Sequence, residues 1–383
     1  MPDLVCDACG ATYADGDRQH CDCGETLWYE LSTDFAWPTE SERLWAYSDL
    51  LPASDPVGIE RAAGGTPLVR APRLDDYAGC RVRVKDESAN PTGSFKDRGT
   101  AVATAALRAR GETEIGTVSH GNMAMSTAAH AASAGMDAVV LVPDDIPEDR
   151  LGHIARYDPE LYAVAGDYGR LYEESFALGP TFVNSDSPLR VAGQKTTVVE
   201  LLHQFAGTPD AVVVPVSSGG HASGTWKAVR ELRAAGAIEA VPELHFVQAA
   251  ACDPIARAYR NGDDTVSPIA DGGDDTVAYS IANANPPSGD RVLRATRDTG
   301  GSVLSVADDA ILAAQRALAT RAGLAVEAAS ATSLAAAREL TETGRLEESD
   351  DVAVVATGTG FRERPPTPDS VRRVTQDELR ERL

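Results

Sequence analysis

Apolar residues recur along this chain in two rhythms. Short runs such as "RVRVK" at 81–85, "EIGTVS" at 114–119, "DAVVLVP" at 137–143, "DAVVVPV" at 210–216 and "DDVAVVA" at 350–356 have the length and β-branched content of strands. Longer Ala-rich stretches alternate with them, "FKDRGTAVATAALRARG" at 95–111, "MAMSTAAHAASAG" at 123–135 and "ASGTWKAVRELRAAG" at 222–236. Each ends on a glycine, the residue that closes a helix most easily. "YAVAG" at 162–166 and "TFVNS" at 181–185 read as shorter strands around a polar helix. Strands that are apolar without strict alternation are buried on both faces, and strands alternating with helices predict mostly parallel sheets. The fold class is therefore α/β. Residues 261–290, rich in Gly, Asp, Asn and Pro, are expected to form a long loop, and no internal repeat is visible.

Composition narrows the picture. A chain of 383 residues is too long for one ordinary domain and suits two α/β domains with a small module. No run approaches the roughly 20 apolar residues of a membrane span. The start, "MPDLVCDACG", lacks the basic-then-apolar pattern of a secretory signal, so a cytoplasmic protein is expected. With 58 acidic residues against 35 basic ones and a net charge of −23, nucleic acid and anionic membrane surfaces would be repelled. Only four of the basic residues are lysine, Lys85, Lys96, Lys195 and Lys227; the rest are arginine. Abundant carboxylates with almost no lysine suggest a surface adapted to concentrated salt, where repulsion is screened. Each surviving lysine becomes a better functional candidate, against the rival reading of chance survival.

Four cysteines, Cys6, Cys9, Cys21 and Cys23, crowd the first 23 residues as two close pairs. Such pairs can bring four thiolates to one tetrahedral structural zinc, as in zinc ribbons. Disulfide pairing is the alternative, but nothing points to an oxidising compartment. The second pair is unusually tight and His20 adjoins it, so the ligand set stays open. Cys80 and Cys252 stand alone and read as core residues.

Turns rich in small residues follow the strand candidates at 90–96, 119–123, 217–222 and 357–360. In parallel α/β sheets ligands bind beyond the carboxyl ends of strands, so these turns are expected to converge. "PVSSGGHASG" at 215–224 is a strand end, a Ser/Gly turn and a helix start, where successive N–H groups and the helix dipole cradle a phosphate. An ordinary tight turn is the rival reading. It is not a nucleotide P-loop, since no Gly-Lys-Ser/Thr follows. "SFKDRG" sets Lys96 at a predicted helix N-terminus, where the dipole and burial both disfavour the ammonium. A neutral amine attacks carbonyls to give a Schiff base. Phosphate cradle and imine lysine together are what pyridoxal phosphate requires.

The stretches "VKDESANPTGSFKDRG", "SHGN", "GQKT", "SSGG", "VEAASATSLAAA" and "TGTG" strongly resemble the fold-type II pyridoxal-phosphate enzymes. More narrowly they look like the threonine synthases, which also commonly carry an N-terminal cysteine module. The resemblance runs from the first cysteine pair to about residue 362. It implies a fold-type II architecture of two doubly wound α/β domains with a zinc-ribbon-like module. The module would occupy 1–34, a larger domain 35–85 with 186–383, and a smaller domain carrying the substrate loop 86–185. It implies that Lys96 carries the cofactor and then moves protons, with Phe95 packed near the cofactor ring. Asn122 would hydrogen-bond the ring hydroxyl; the rival reading is a helix N-cap. The turn Ser217, Ser218, Gly219, Gly220 and His221 would hold the cofactor phosphate, and Thr357 would face the ring nitrogen. Ser119, His120, Ser185 and Arg190 would serve a phosphorylated amino-acid substrate, Arg190 as a bidentate phosphate ligand or, on the rival reading, as a structural ion pair. Asp97 and Arg98 are expected to pair or cap around the new helix. The implied reaction is O-phosphohomoserine and water to threonine and phosphate; a homodimer is compatible with it.

The chain also departs from the family pattern. His120 stands where a small hydroxyl residue is usual, His221 where asparagine is usual, Ser217-Ser218 where Gly-Asn is usual, and Ala328 where proline is usual. Two imidazoles could bind a phosphate if protonated, or reshape the pocket for another amino acid. Three alternatives stay open at this level: a β-replacement enzyme acting on O-phosphoserine (cysteate- or cysteine-synthase-like), a serine/threonine dehydratase, and a catalytically silent sensor of the cofactor or an amino acid.

Overall fold

The two rhythms of the sequence build three sheets. The computed structural model describes residues 2–363, except positions 17, 32, 33, 40–42, 120, 145, 167, 206, 271 and 272, together with residue 376. The chain opens with an antiparallel ribbon of β1 (Leu4–Val5), β2 (Thr12–Tyr13) and β3 (Trp28–Tyr29), in the order β2-β1-β3. Next come β4 (Leu68–Arg70) and β5 (Arg81–Asp86). The strands β6 (Glu114–Val118), β7 (Asp137–Pro143) and β8 (Glu160–Val164) then form a parallel sheet of their own. The remaining strands are β9 (Ala211–Pro215), β10 (Glu243–Ala249), β11 (Ser302–Val306) and β12 (Asp351–Ala356). They join β4 and β5 in a six-stranded sheet ordered β11-β10-β9-β12-β5-β4, in which only β4 is antiparallel.

The order reverses between β9 and β12, where the last strand inserts beside the first parallel one. Val354 pairs with Val213 on one side and Val84 on the other. Alternate residues feed two cores. Val82, Val84, Val213, Val352 and Val354 face one, and Val212, Val214, Ala353 and Val355 face the other. That is the burial on both faces which continuous Val/Ala runs predict.

Two elements differ from the sequence reading. "TFVNS" is not a strand. Gly116 donates to Thr181 O and accepts from Val183 N, but Val118 N–H is then taken by Asn184 Oδ1 at 2.9 Å. A side chain replaces the ladder after one bridge. β10, "ELHFVQA", was invisible because His245 and Gln248 interrupt its apolar run; both are buried. The stretch 261–290 is the expected long loop: among the described residues it holds only the end of one helix, a turn at Tyr279–Ile281 and the start of the helix Gly289–Thr299. Among the described residues, no helix is long and apolar enough to cross a membrane.

Candidate active site

β5, β12 and β9 are neighbours, so the turns at their carboxyl ends lie side by side. The turn after β5 is stitched to the one after β12: Phe95 N donates to Thr357 O and Thr359 N to Gly93 O, both at 2.9 Å. On the far side Glu327 N donates to Gly358 O at 3.1 Å, and Val326 bridges Thr359. Three motifs distant in sequence thus form one floor. Gly93, with φ +79°, leaves the room that Thr359 Cγ2 and the Arg362 guanidinium occupy; a Cβ there would sit 2.7–2.8 Å from both.

Lys96 is the first residue of the helix Lys96–Ala109, and its Nζ lies 4.5 Å from the Phe95 ring centroid. Burial lowers it to about 8, the charge of Arg190 adds to the shift, and Glu327 and Asp186 oppose it. Asp97 and Arg98 do not pair with each other. Asp97 accepts from Thr92 N, Thr92 Oγ1 and Ser126 Oγ at 2.6 Å, which closes the loop before the lysine. Arg98 joins a buried cluster with Glu87, Glu200 and Lys85, two cations against two carboxylates. Lys195 and Lys227 both pair with Glu231. Lys85, Lys195 and Lys227 are therefore structural.

The turn between β9 and the helix Gly220–Ala234 has a cradle's shape. Gly219 is left-handed at φ +92°, and a Cβ on it would lie 2.6 Å from Ser288 O. The N–H groups of Ser217, Ser218, Gly219, Gly220 and His221 find no acceptor among the described residues. Five unused donors at the positive end of a 15-residue helix suit a phosphate. The His221 ring stacks on Phe95, centroids 4.1 Å apart, and its Nε2 meets Thr197 Oγ1 at 3.1 Å. Burial drives its pKa down to about 3, against the charge of Glu87 and with those of Lys96 and Arg98. Burial thus disfavours the imidazolium at His221, and of its two sequence readings favours a ring that shapes the pocket over a phosphate-binding cation. His120 lies outside the described residues.

Asn122 begins the helix Asn122–Ala134 after β6 and is held from the opposite sheet. Its Nδ2 donates to Glu327 Oε1 and Oε2 at 3.2 and 3.0 Å, and its Oδ1 accepts from Arg362 Nη1 at 2.6 Å. Thr357 is buried with its Oγ1 2.9 Å from Ser330 Oγ. Ser119 Oγ accepts from Gly121 N at 3.3 Å, and the Ser185 carbonyl packs against Gly220.

Arg190 differs from expectation. Fully buried, it donates through Nε to Val183 O and through Nη1 and Nη2 to Thr100 and Thr127 Oγ1, at 2.6–2.7 Å. The open bidentate fork is absent, and no carboxylate lies within ion-pair distance among the described residues. Burial lowers it to about 9, with Tyr172 and Asp97 offsetting part of the shift. It offers the site a positive field from behind two threonines.

The four cysteine sulfurs lie within 4.8 Å of one another, with Cys6–Cys23 at 3.6 Å and Cys9–Cys21 at 3.5 Å. Zn–S bonds of 2.3 Å place tetrahedral sulfurs about 3.8 Å apart, so the set fits such an ion. Hydrogen bonds from the Cys23 backbone and the Tyr13 hydroxyl lower Cys21 to about 6, whereas burial raises Cys6 to about 12, so the fit rests on the sulfur geometry.

The sequence assigned no role to Glu327, Arg362 or Asp186. Glu327 is buried within "VEAASA", and Asp186 accepts from Tyr172 and Ser288 hydroxyls beside Lys96. Their only signal was position: an ionisable residue inside or just past a turn that converges on the site.

A family model described as pyridoxal-phosphate dependent enzyme matches residues 59–358. The chain belongs to this family. Its curated relatives include the threonine synthase of Methanocaldococcus jannaschii, 32% identical over 98% of this chain and 95% of that protein. The threonine synthase of Methanosarcina acetivorans is 33% identical over 83% of this chain and 82% of its own length. Among solved structures, a T.th. threonine deaminase is similar with a TM-score of 0.65 at 26% identity, covering 79% of this chain and 94% of that one.

Proposed function

We propose that the chain is a threonine synthase that converts O-phosphohomoserine and water to threonine and phosphate with pyridoxal phosphate held on Lys96. The carrying observation is an anion cradle beside one lysine, with a buried cation behind it. Among the described residues the turn 217–221 presents unused N–H donors, and Arg190 is a buried cation with no carboxylate at ion-pair distance. A cofactor phosphate needs only the first. An uncompensated buried charge is costly, and a second phosphate, on the substrate, offsets it.

Bound pyridoxal phosphate supplies an electron sink that makes protons on the substrate's α- and β-carbons removable. The 217–221 N–H groups bind its phosphate, Phe95 packs beside its ring, and Asn122 donates to its ring hydroxyl. Thr357, paired with Ser330, would face the ring nitrogen, where a hydroxyl does not force protonation. Lys96, lowered to about 8, takes and returns protons close to neutral pH. Ser119 and Ser185 offer hydroxyls to the substrate, and the Arg190 field attracts its phosphate. Residues 86–185 form the lobe carrying Ser119 and Asn122, 35–85 with 186–383 form the other, and 1–34 hold a structural zinc on Cys6, Cys9, Cys21 and Cys23.

A second reading rests on Asp186, whose negative charge beside Lys96 favours an unphosphorylated serine or threonine and a dehydratase. Phosphate release would be assayed in molar KCl with O-phosphohomoserine and O-phosphoserine in parallel, with threonine as a third substrate. Threonine formed from O-phosphohomoserine is the expected product. Absence of that product in protein that carries the cofactor's visible band, with ammonia released from threonine instead, moves the assignment to the dehydratase.

A further inference from the structure

Asn122 is gripped at both ends by opposite charges from the other sheet. Glu327, at the start of the helix Ala328–Glu342, accepts from its Nδ2 through both carboxylate oxygens; Arg362, just past the turn after β12, donates to its Oδ1. An amide can usually flip with little loss, because its oxygen and nitrogen are nearly the same shape. Here a flip would set the NH2 against a guanidinium and the oxygen against a carboxylate. The orientation is fixed by charge. Nδ2 donates to this one carboxylate and to no other acceptor among the described residues. Glu327 and Arg362 make no ion pair with each other among the described residues, and their nearest shared group is this amide. Gly93 is what admits the guanidinium, since a Cβ there would meet Arg362 Nη2 at 2.7 Å.

We propose that Glu327 and Arg362 are positioning residues that lock the Asn122 amide with one N–H directed at the ring hydroxyl oxygen of the cofactor. This rests on the reading of Asn122 given above. The carboxylate polarises the amide and the guanidinium prevents its rotation. The lock also ties the first turn of the helix after β6 to the floor of the larger sheet, so the donor is in place before the cofactor arrives.

The test titrates pyridoxal phosphate into cofactor-free protein and records affinity together with the balance of the two visible bands of the bound cofactor. That balance depends on the hydrogen bond to the ring hydroxyl and is indifferent to general loosening. Asn122→Ala is expected to weaken binding about tenfold, the worth of one good hydrogen bond, and to shift the band balance. Glu327→Ala and Arg362→Met are expected to shift it in the same direction. The double variant Asn122→Ala/Glu327→Ala should go no further than Asn122→Ala alone, while Glu327→Gln, which keeps an acceptor but loses the charge, should shift the bands in the same direction by less than Glu327→Ala. Parental bands in Glu327→Ala and Arg362→Met, or fully additive losses in the double variant, overturn the lock while leaving the Asn122 contact standing. Parental bands in Asn122→Ala remove that contact and the lock with it. Circular dichroism accompanies each variant. Should Glu327→Ala fail to fold, Arg362→Met carries the test, since Arg362 is only half-buried.

Discussion

At Lys96, position and charge work together. The residue opens a helix whose preceding Phe95 offers no side-chain cap, at the end where the helix dipole is positive. Burial and Arg190 push it to about 8. Below that value the protonated, unreactive form dominates; above it the free amine does. The rate of pyridoxal-phosphate capture by cofactor-free protein should therefore rise with pH and level off above a midpoint near 8. The linkage has the same sign for stability. A lysine ordinarily near 10.5 binds more protons unfolded than folded between the two values, so its contribution improves as pH rises through that window. Arg190→Met removes a positive neighbour, so the capture midpoint should move upward while the affinity for a phosphorylated substrate falls. Stopped-flow absorbance across pH reads the first and KM the second. An unmoved midpoint would remove Arg190 from the electrostatics of the site.

The elements around the lysine are held by a cluster the sequence did not reveal. Lys85 on β5 reaches Glu200 at 2.5 Å, Arg98 reaches Glu87 at 2.7 Å and Glu200 at 3.0 Å, and all four side chains are fully buried. Arg98 and Lys85 hold Glu200 below the usual carboxylate range despite burial, which raises it. Glu200→Ala would leave two buried cations facing one carboxylate, and breaking such a cluster costs about 3–5 kcal/mol. A urea melt of that variant within 1 kcal/mol of the parent, on the order of ordinary surface changes, would count against the cluster. Glu200 comes from a segment more than 100 residues from Lys85 and Arg98, so no local pattern announces the cluster. The turns did announce themselves, because glycine and small residues after an apolar run carry their own backbone chemistry. Arg190 lay between the two cases: its motif marked the place, but only the packing of Thr100 and Thr127 showed that its donors were committed. The cysteine ribbon was also legible as spacing. It is docked by Trp28, whose Nε1 donates to Ser223 Oγ at 2.8 Å and whose ring lies 4.4 Å below Arg291. A mercurial added to the folded protein should release about one zinc per chain as four thiols react, monitored with a chromogenic chelator. Four immediately reactive thiols with no metal released would rule out the zinc.

For the molecule as a whole, the scarcity of lysine acquires a location. Lys85, Lys195 and Lys227 are buried and Lys96 is in the site, so arginine alone supplies the exposed cations among the described side chains. With a net charge of −23, carboxylates repel one another across the surface. Two effects of salt then compete. Screening weakens exposed ion pairs such as Arg170–Glu174 and Arg297–Asp264, but each is worth about 0–1 kcal/mol. Screening also relieves the unbalanced repulsion, which sums over all the excess carboxylates and reaches about 30 Å at 0.01 M salt but about 3 Å at 1 M. The buried cluster is unaffected, since ions do not enter it. The second effect should win, so the melting temperature should climb as KCl rises from 10 mM to 1 M and flatten once the screening length falls below the spacing of surface charges. KCl is the salt to use, because sulfate would strengthen apolar burial directly and give the same sign for another reason. A flat or falling melting temperature in a calorimetric KCl series would mean that the exposed arginines already balance the surface locally, and that the missing lysines reflect something other than salt.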